Sequence, residues 1–280
     1  MSAYKIITDS CADLTPEMIS ALDISMIPLT VLFQGKNRND CVDDSIKEIY
    51  NGLRNGEVAS TSAANPDGWA SVMEPVLQNG QDALVLAFSS GLSTTYQSAV
   101  IAATDLAEKY PDRKILIVDT LCASLGQGLL VWHACKKRDE GMNLEQLHSW
   151  IEENKMHICH WFTVDDLMYL KRGGRVSTAT AVVGTMLQIK PVLHVDDAGH
   201  LINVAKARGR KASIDSLAKK VGQLGGNFDN STCFISHGDC LEDAQYLAEL
   251  LKAQYGVQEV VIGSHAGPGV LALFFMGDHR

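Results

Sequence analysis

The stretch ALVLAFSSGLSTTYQSA, residues 83–99, decides how the chain is read. Ala83 to Phe88 form an apolar run of strand length. Ser89, Ser90, Gly91, Ser93, Thr94 and Thr95 follow before a helix-like pattern begins. A buried strand that ends in a turn and feeds a helix N-terminus is the repeating unit of an α/β sheet. The carboxyl ends of such strands are where open α/β sheets bind ligands.

The same alternation extends to both sides. Towards the N-terminus, YKIITDS (4–10) reads as a strand ending in a polar turn. LTPEMISALD (14–23) reads as a helix with Thr15 at its N-cap and Pro16 in its first position, and SMIPLTVLF (25–33) as one further strand. Helices are expected in DDSIKEIYNGL (43–53) and NPDGWASVMEPVLQ (65–78), then from about Thr95 to Tyr110, and within 123–137 and 143–154, with a strand in KILIVDT (114–120). This describes a doubly wound α/β half. A second half starts near ICHWFTVD (158–165) and continues through a helical DDLMYLKR (165–172). It then holds a hairpin over 190–207 turned at Asp197-Ala198-Gly199, helices at 211–224 and 241–255, and strands in STCFISH (231–237) and EVVIGSH (259–265). Two α/β domains are therefore expected, 1–153 and 154–280, with a ligand cleft at their interface.

Composition restricts the function. The chain has 280 residues, 46% of them apolar, and no apolar run of membrane-spanning length or signal-peptide pattern at its start, so a cytoplasmic protein is expected. Seven cysteines without a C-x-x-C pair suit reduced core thiols rather than a disulfide framework. A net charge of −9 argues against general nucleic-acid binding, but it is unevenly spread. Between Lys171 and Lys211 stand eight Lys or Arg and two acids, a local +6 that leaves −15 on the remainder. A solvated face and a docking surface for an acidic partner or phosphate both fit this segment.

Four polar turns then compare with one another: TDSCADLT (8–15), ASTSAANP (59–66), FSSGLSTTYQ (88–97) and GSHAGPG (263–269). Each alone fits helix capping, and Thr94 with Gln97 matches a capping box. Together they offer hydroxyl donors and helix-end amides suited to a carboxylate or phosphate. Ser93 with His265 would suit a serine hydrolase or acyltransferase, but Gly91-Leu92-Ser93-Thr94-Thr95 is not G-x-S-x-G and no third triad member stands out. HICH (157–160), and His237 with Asp239 and Cys240, are the nearest approach to a metal motif. His157 and His160 on one strand would face opposite sides, and no metal is expected. No phosphate-binding loop or dinucleotide fingerprint is present, so no cofactor is expected and any ATP comes with a partner.

TDSCADLT, STS (60–62), FSSGLSTTYQSA, VDTLCASLGQGLLV (118–131), VDDLMYLKRGGRVS (164–177), IKPVLHVDDAG (189–199), ARGRKAS (207–213) and GSHAGPGVLALFFMG (263–277) occur in the order and approximate spacing of the DegV family of bacterial fatty-acid-binding proteins. The chain resembles that family over essentially its whole length. The resemblance implies two α/β domains holding a long-chain fatty acid with its carboxylate at the domain interface. It also implies a non-enzymatic, acyl-carrying role, in which a separate ATP-binding kinase subunit converts the carboxylate to an acyl phosphate. Carried onto this sequence, Thr61, Ser62, Ser93 and Thr94 would bind the head group, with His265 beside it. Arg175 and Arg208 would face the partner or the phosphate. Two positions depart from the family pattern, Thr94 where glycine is usual and Ala63 where proline is usual, which would reshape the head-group pocket. Nine methionines against 6% aromatic residues suit a flexible apolar tunnel as well as ordinary core filling.

Overall fold

The computed structural model describes residues 3–40, 46–176, 188–263 and 267–280. The chain divides into two compact units, one made of Met1–Asp44, Ala59–Ala123 and Gln127–Lys155, the other of Ser45–Val58, Ser124–Gly126 and Met156–Arg280. In chain order, the strands of the first unit are β1 (Tyr4–Asp9), β2 (Ser25–Ile27), β3 (Thr30–Phe33), β4 (Lys36–Asn39), β5 (Ala59–Ser62), β6 (Asp82–Ala87) and β7 (Ile115–Asp119). Its helices are α1 (Pro16–Ala21), α3 (Pro66–Gln78), α4 (Thr95–Lys109), α5 (Leu125–Asp139, all but its first two residues) and α6 (Leu144–Asn154), whereas α2 (Ile46–Arg54) groups with the second unit.

Four of these strands form a parallel sheet in the order β2-β1-β6-β7. Successive strands step outward from β1 in one direction and from β6 in the other, so the winding reverses between β1 and β6. Strand alternation sends Ile7, Val85 and Ala87 into a core with Trp69 and Met73 of α3 and Ala99 and Leu106 of α4. The opposite face takes α5, whose fully buried Gln127 donates through Nε2 to Thr8 Oγ1 at 3.0 Å and to the Leu86 carbonyl at 3.3 Å. Helices on both faces explain why Ile6, Ile7, Leu84, Val85 and Leu86 are all fully buried. The caps follow the sequence: Thr15 Oγ1 accepts from the Met18 N–H at 3.3 Å, and Asn65 Oδ1 from the Gly68 N–H at 2.8 Å. Each is worth about 1 kcal/mol.

SMIPLTVLF is not one strand. Pro28, which has no N–H to give a ladder, divides it into β2 in the parallel sheet and β3 in a separate antiparallel sheet of order β4-β3-β5. Strands β4 and β5, KNRN and ASTS, carry no apolar alternation, and it is pairing with β3 that makes them strands.

The second unit contains β8 (Ile158–Thr163), α7 (Met168–Arg172), β9 (Ile189–Val195), β10 (Leu201–Arg208), α8 (Arg210–Leu224), β11 (Thr232–His237), α9 (Leu241–Tyr255), β12 (Glu259–Gly263) and β13 (Leu271–Met276). Its six-stranded mixed sheet has the order β10-β9-β8-β13-β11-β12. The β9–β10 hairpin closes at Asp196–His200 with Gly199 at φ 78°, a conformation that favours glycine. The uniformly apolar β13 lies antiparallel between β8 and β11. On one face, Cys159, Ile235, Leu273 and Phe275 pack with Leu217 and Val221 of α8 and Leu247 and Leu251 of α9. The other face receives Ser124–Gly126. There the Ser124 hydroxyl donates to Ser236 Oγ at 2.9 Å, and a Cβ on Gly126 would lie 2.2 Å from His160 Nε2.

Candidate functional site

The reversal between β1 and β6 places the turn after β6 at the position where open α/β sheets hold ligands. This turn hangs on Ser89, which is fully buried. The Ser89 N–H donates to the Cys122 carbonyl at 3.2 Å, and its own carbonyl accepts the Leu92 and Ser93 amides at 3.0 and 3.2 Å. Its hydroxyl oxygen accepts the Gly91 N–H at 3.2 Å. Carboxylates hold the turn from both neighbouring strands: Asp9 accepts the Phe88 N–H at 2.7 Å, and Asp119 accepts the Ser90 N–H at 3.1 Å. Every backbone N–H from Phe88 to Ser93 is thus taken inside the protein. These six amides precede α4 and are not open to a ligand; of the helix-end amides, that of Thr95 is taken by Ser93 Oγ.

Ser93 is the best placed of them. Its Oγ accepts the Thr95 N–H at 3.2 Å and lies 2.8 Å from Thr95 Oγ1. Thr95 is fully buried, so its hydroxyl needs a partner and finds Ser93. When Thr95 donates, the Ser93 proton is left free to point outward. The capping box expected from Thr94 and Gln97 does not form: Thr94 makes no side-chain cap bond, and Ser93 caps the Thr95 amide instead. Thr94 is exposed beside it. Sequence reasoning missed Thr95 as a site residue, because a hydroxyl at a helix start looks the same whether it faces water or a neighbouring serine.

Asp9 was missed as well. Its carboxylate has no exposed surface and accepts two amides, Phe88 on one oxygen and Cys11 on the other at 3.0 Å. Burial pushes its pKa up to about 6, opposed by those amide bonds and by Gln127. In the loop after β7, Leu121 adopts φ 51°, rare for a bulky residue, and donates its N–H to Asp119 Oδ1 at 3.2 Å.

Thr61 and Ser62 do not lie in a turn. They sit exposed on β5, an edge strand of the three-stranded sheet, in register with Val31 and Thr30. No hydrogen bond among the described residues joins them to Ser93 or Thr94. His265 lies outside the described residues, and no histidine among those described bonds to Ser93. Arg175 is exposed, with its guanidinium on the Gly173 carbonyl of its own turn. Arg208 ends β10, exposed and without an ion pair among the described residues. Its neighbour Arg210 instead binds Asp243 at 2.8 Å. His157 precedes β8 and pairs with the Gly277 carbonyl at 2.8 Å, while buried His160 pairs with the Ile158 carbonyl at 2.8 Å. His237 Nδ1 accepts the Cys240 amide at 3.3 Å. Among the described residues no acid, cysteine and histidine side chains group in a way that could hold a metal, and no helix is long and apolar enough to cross a membrane.

The fold and the turn define an α/β protein with a hydroxyl-bearing turn at a sheet switch point. The chain belongs to the DegV family, whose model, described as one of uncharacterised proteins, matches residues 3–278. A DegV domain-containing protein of Clostridium perfringens is 45% identical over all of this chain and 99% of its own length. Among solved structures, a fatty-acid-binding DegV family protein from Thermus thermophilus superposes with a TM-score of 0.87 at 29% identity, covering 99% of this chain and 100% of that one. The Streptococcus pneumoniae fatty acid kinase B3 protein, loaded with linoleic acid, shares the fold with a TM-score of 0.86 at 20% identity, covering 99% and 100%.

Proposed function

We propose that this protein binds a long-chain fatty acid and presents its carboxylate to a separate ATP-binding kinase subunit for acyl phosphate formation. The observation that carries the reading is the Ser93 hydroxyl at the β1–β6 switch point, in a chain similar throughout its length to the fatty-acid-binding Thermus thermophilus protein. A carboxylate removed from bulk water needs donors to stay charged, and hydroxyls supply them without a buried counter-ion. In this reading Thr61, Ser62, Ser93 and Thr94 hold the head group with His265 beside it. The exposed Arg175 and Arg208 face the partner or the phosphate. The protein works in the cytoplasm as a carrier, needs no cofactor of its own, and leaves catalysis to its partner.

The test is native mass spectrometry of the full chain purified from bacterial cells, followed by organic extraction. An added mass matching a fatty acid supports the reading, and an absence of lipid together with no uptake of oleate or palmitate refutes it. Acyl phosphate formed only when the ATP-binding subunit is added supports the kinase step. Hydrolysis of acyl esters by this chain alone, abolished by Ser93→Ala, would replace the carrier with an enzyme.

A further inference from the structure

We propose that Asp9 is a positioning residue whose carboxylate latches the head-group turn to the end of β1, so that taking up a proton releases the turn and weakens the hold on the fatty acid. This deepens the reading of Ser93 as a head-group donor and rests on it.

The argument begins with the cost of the group. A carboxylate with no exposed surface is retained here with both oxygens aimed at amides, Phe88 N–H at 2.7 Å and Cys11 N–H at 3.0 Å. Only an ionised carboxylate presents two acceptors and no donor; an asparagine would turn an NH2 towards one of those amides. The Phe88 bond is the tie between β1 and the segment from which Ser89 organises Gly91, Leu92 and Ser93. A proton on Asp9 converts one acceptor into a donor. Gln127 bears on the Asp9 carboxylate from α5 as a side-chain donor, and so it too favours the ionised form that holds the turn. The oxygen that carries the proton is a poor acceptor, so one of the two amide bonds is weakened.

The groups that bear most on Asp9 are the two amides, the Cys11 thiol of its own turn and Gln127 of α5. Burial raises Asp9 to about 6, which places the proton uptake in an accessible pH range. The other anchor of the turn, Asp119, holds Ser90 from β7 and is left in place. The outcome is therefore a loosened turn rather than an unfolded one.

The test uses the full chain and two readouts between pH 7.5 and 5. Hydrogen–deuterium exchange of the 88–95 segment in lipid-free protein, corrected for intrinsic rates, reads the latch itself. The off-rate of hexadecyl sulfonate, whose head group does not titrate in this range, reads the coupling to ligand. Wild type is expected to lose protection in this segment and to release the sulfonate several-fold faster as pH falls through about 6. Asp9→Asn should remove the pH dependence of both. Asp119→Asn, which shifts the baseline without touching the latch, should keep it, and it serves as the comparison should Asp9→Asn fold poorly. A wild-type segment equally protected across the range overturns the latch. A segment that loosens while the sulfonate off-rate stays flat overturns the coupling. If Ser93→Ala then also leaves that off-rate unchanged, the fault lies in the head-group reading and not in the latch.

Discussion

Replacing Ser93 by alanine should cost the protein twice, and the two costs can be measured apart. Ser93 Oγ accepts the Thr95 N–H at 3.2 Å and pairs with Thr95 Oγ1 at 2.8 Å, so Ser93→Ala leaves both Thr95 groups without that partner at a fully buried position. Unsatisfied buried groups cost about 1–3 kcal/mol, which should appear in the unfolding free energy of lipid-free protein. Loss of a hydrogen bond to a charged carboxylate costs about 1.5–3 kcal/mol, a ten- to hundred-fold drop in affinity. Thr95→Val separates these terms. It removes the inner hydroxyl but leaves Ser93 capping the Thr95 amide with its own proton outward, so stability should fall by about 0.5–1.5 kcal/mol while affinity changes by less than about three-fold. The assay is displacement of a fluorescent fatty acid from delipidated protein, paired with urea unfolding of the same samples. Ser93→Ala binding within about two-fold of wild type would remove Ser93 from the site. Thr95→Val losing as much affinity as Ser93→Ala would show that the Ser93 proton does not point outward.

Gly126→Ala should destabilise the fold by about 1–3 kcal/mol, because the new Cβ would sit 2.2 Å from His160 Nε2 and 2.8 Å from Phe274 Cδ1, outweighing alanine's helix propensity. A lower urea midpoint at unchanged m-value is the expected signature. Burial holds the His160 imidazole well below its ordinary range, so below about pH 6.5 the unfolded chain binds a proton that the folded chain refuses, and stability falls with acid. Asp9 acts in the opposite direction, since its raised pKa lets the folded state take a proton first between about 6 and 4. The His160 contribution is therefore read as the difference in unfolding free energy between wild type and His160→Gln, which should widen in favour of the variant from pH 7 to 5. Arg208→Ala should leave fatty-acid occupancy intact and slow acyl phosphate formation with the cognate kinase subunit at low salt. The gap should close as ionic strength approaches 1 M, where screening acts within about 3 Å; equal rates at low salt would leave Arg208 as a solvated surface residue.

What could be read from the sequence, and what could not, divides along a physical line. Elements driven by their own residues were legible: the apolar runs of β1, β6, β7, β8 and β11, Thr15 and Pro16 opening α1, and Asp197-Ala198-Gly199 turning the β9–β10 hairpin all announce themselves locally. Elements made by a partner were not. The ASTS segment bearing Thr61 and Ser62 reads as a polar turn, and it is a strand because β3 lies beside it. SMIPLTVLF reads as continuous, yet its halves belong to different sheets.

The candidate site follows the same rule with more at stake. Hydroxyls at 89–95 are visible in the sequence, but the donors left for a ligand are those that remain after internal pairing, and that remainder depends on strand order. Asp9 stands 79 positions from Phe88 and looks like any acid closing a strand. The order β2-β1-β6 brings it against the Phe88 amide, takes that amide away from any ligand, and makes the Ser93 hydroxyl, rather than the backbone around it, the donor on which affinity should depend. Turn amides inferred from a sequence motif are thus an upper bound on what a site can offer. Here the neighbouring carboxylates Asp9 and Asp119 claim two of them.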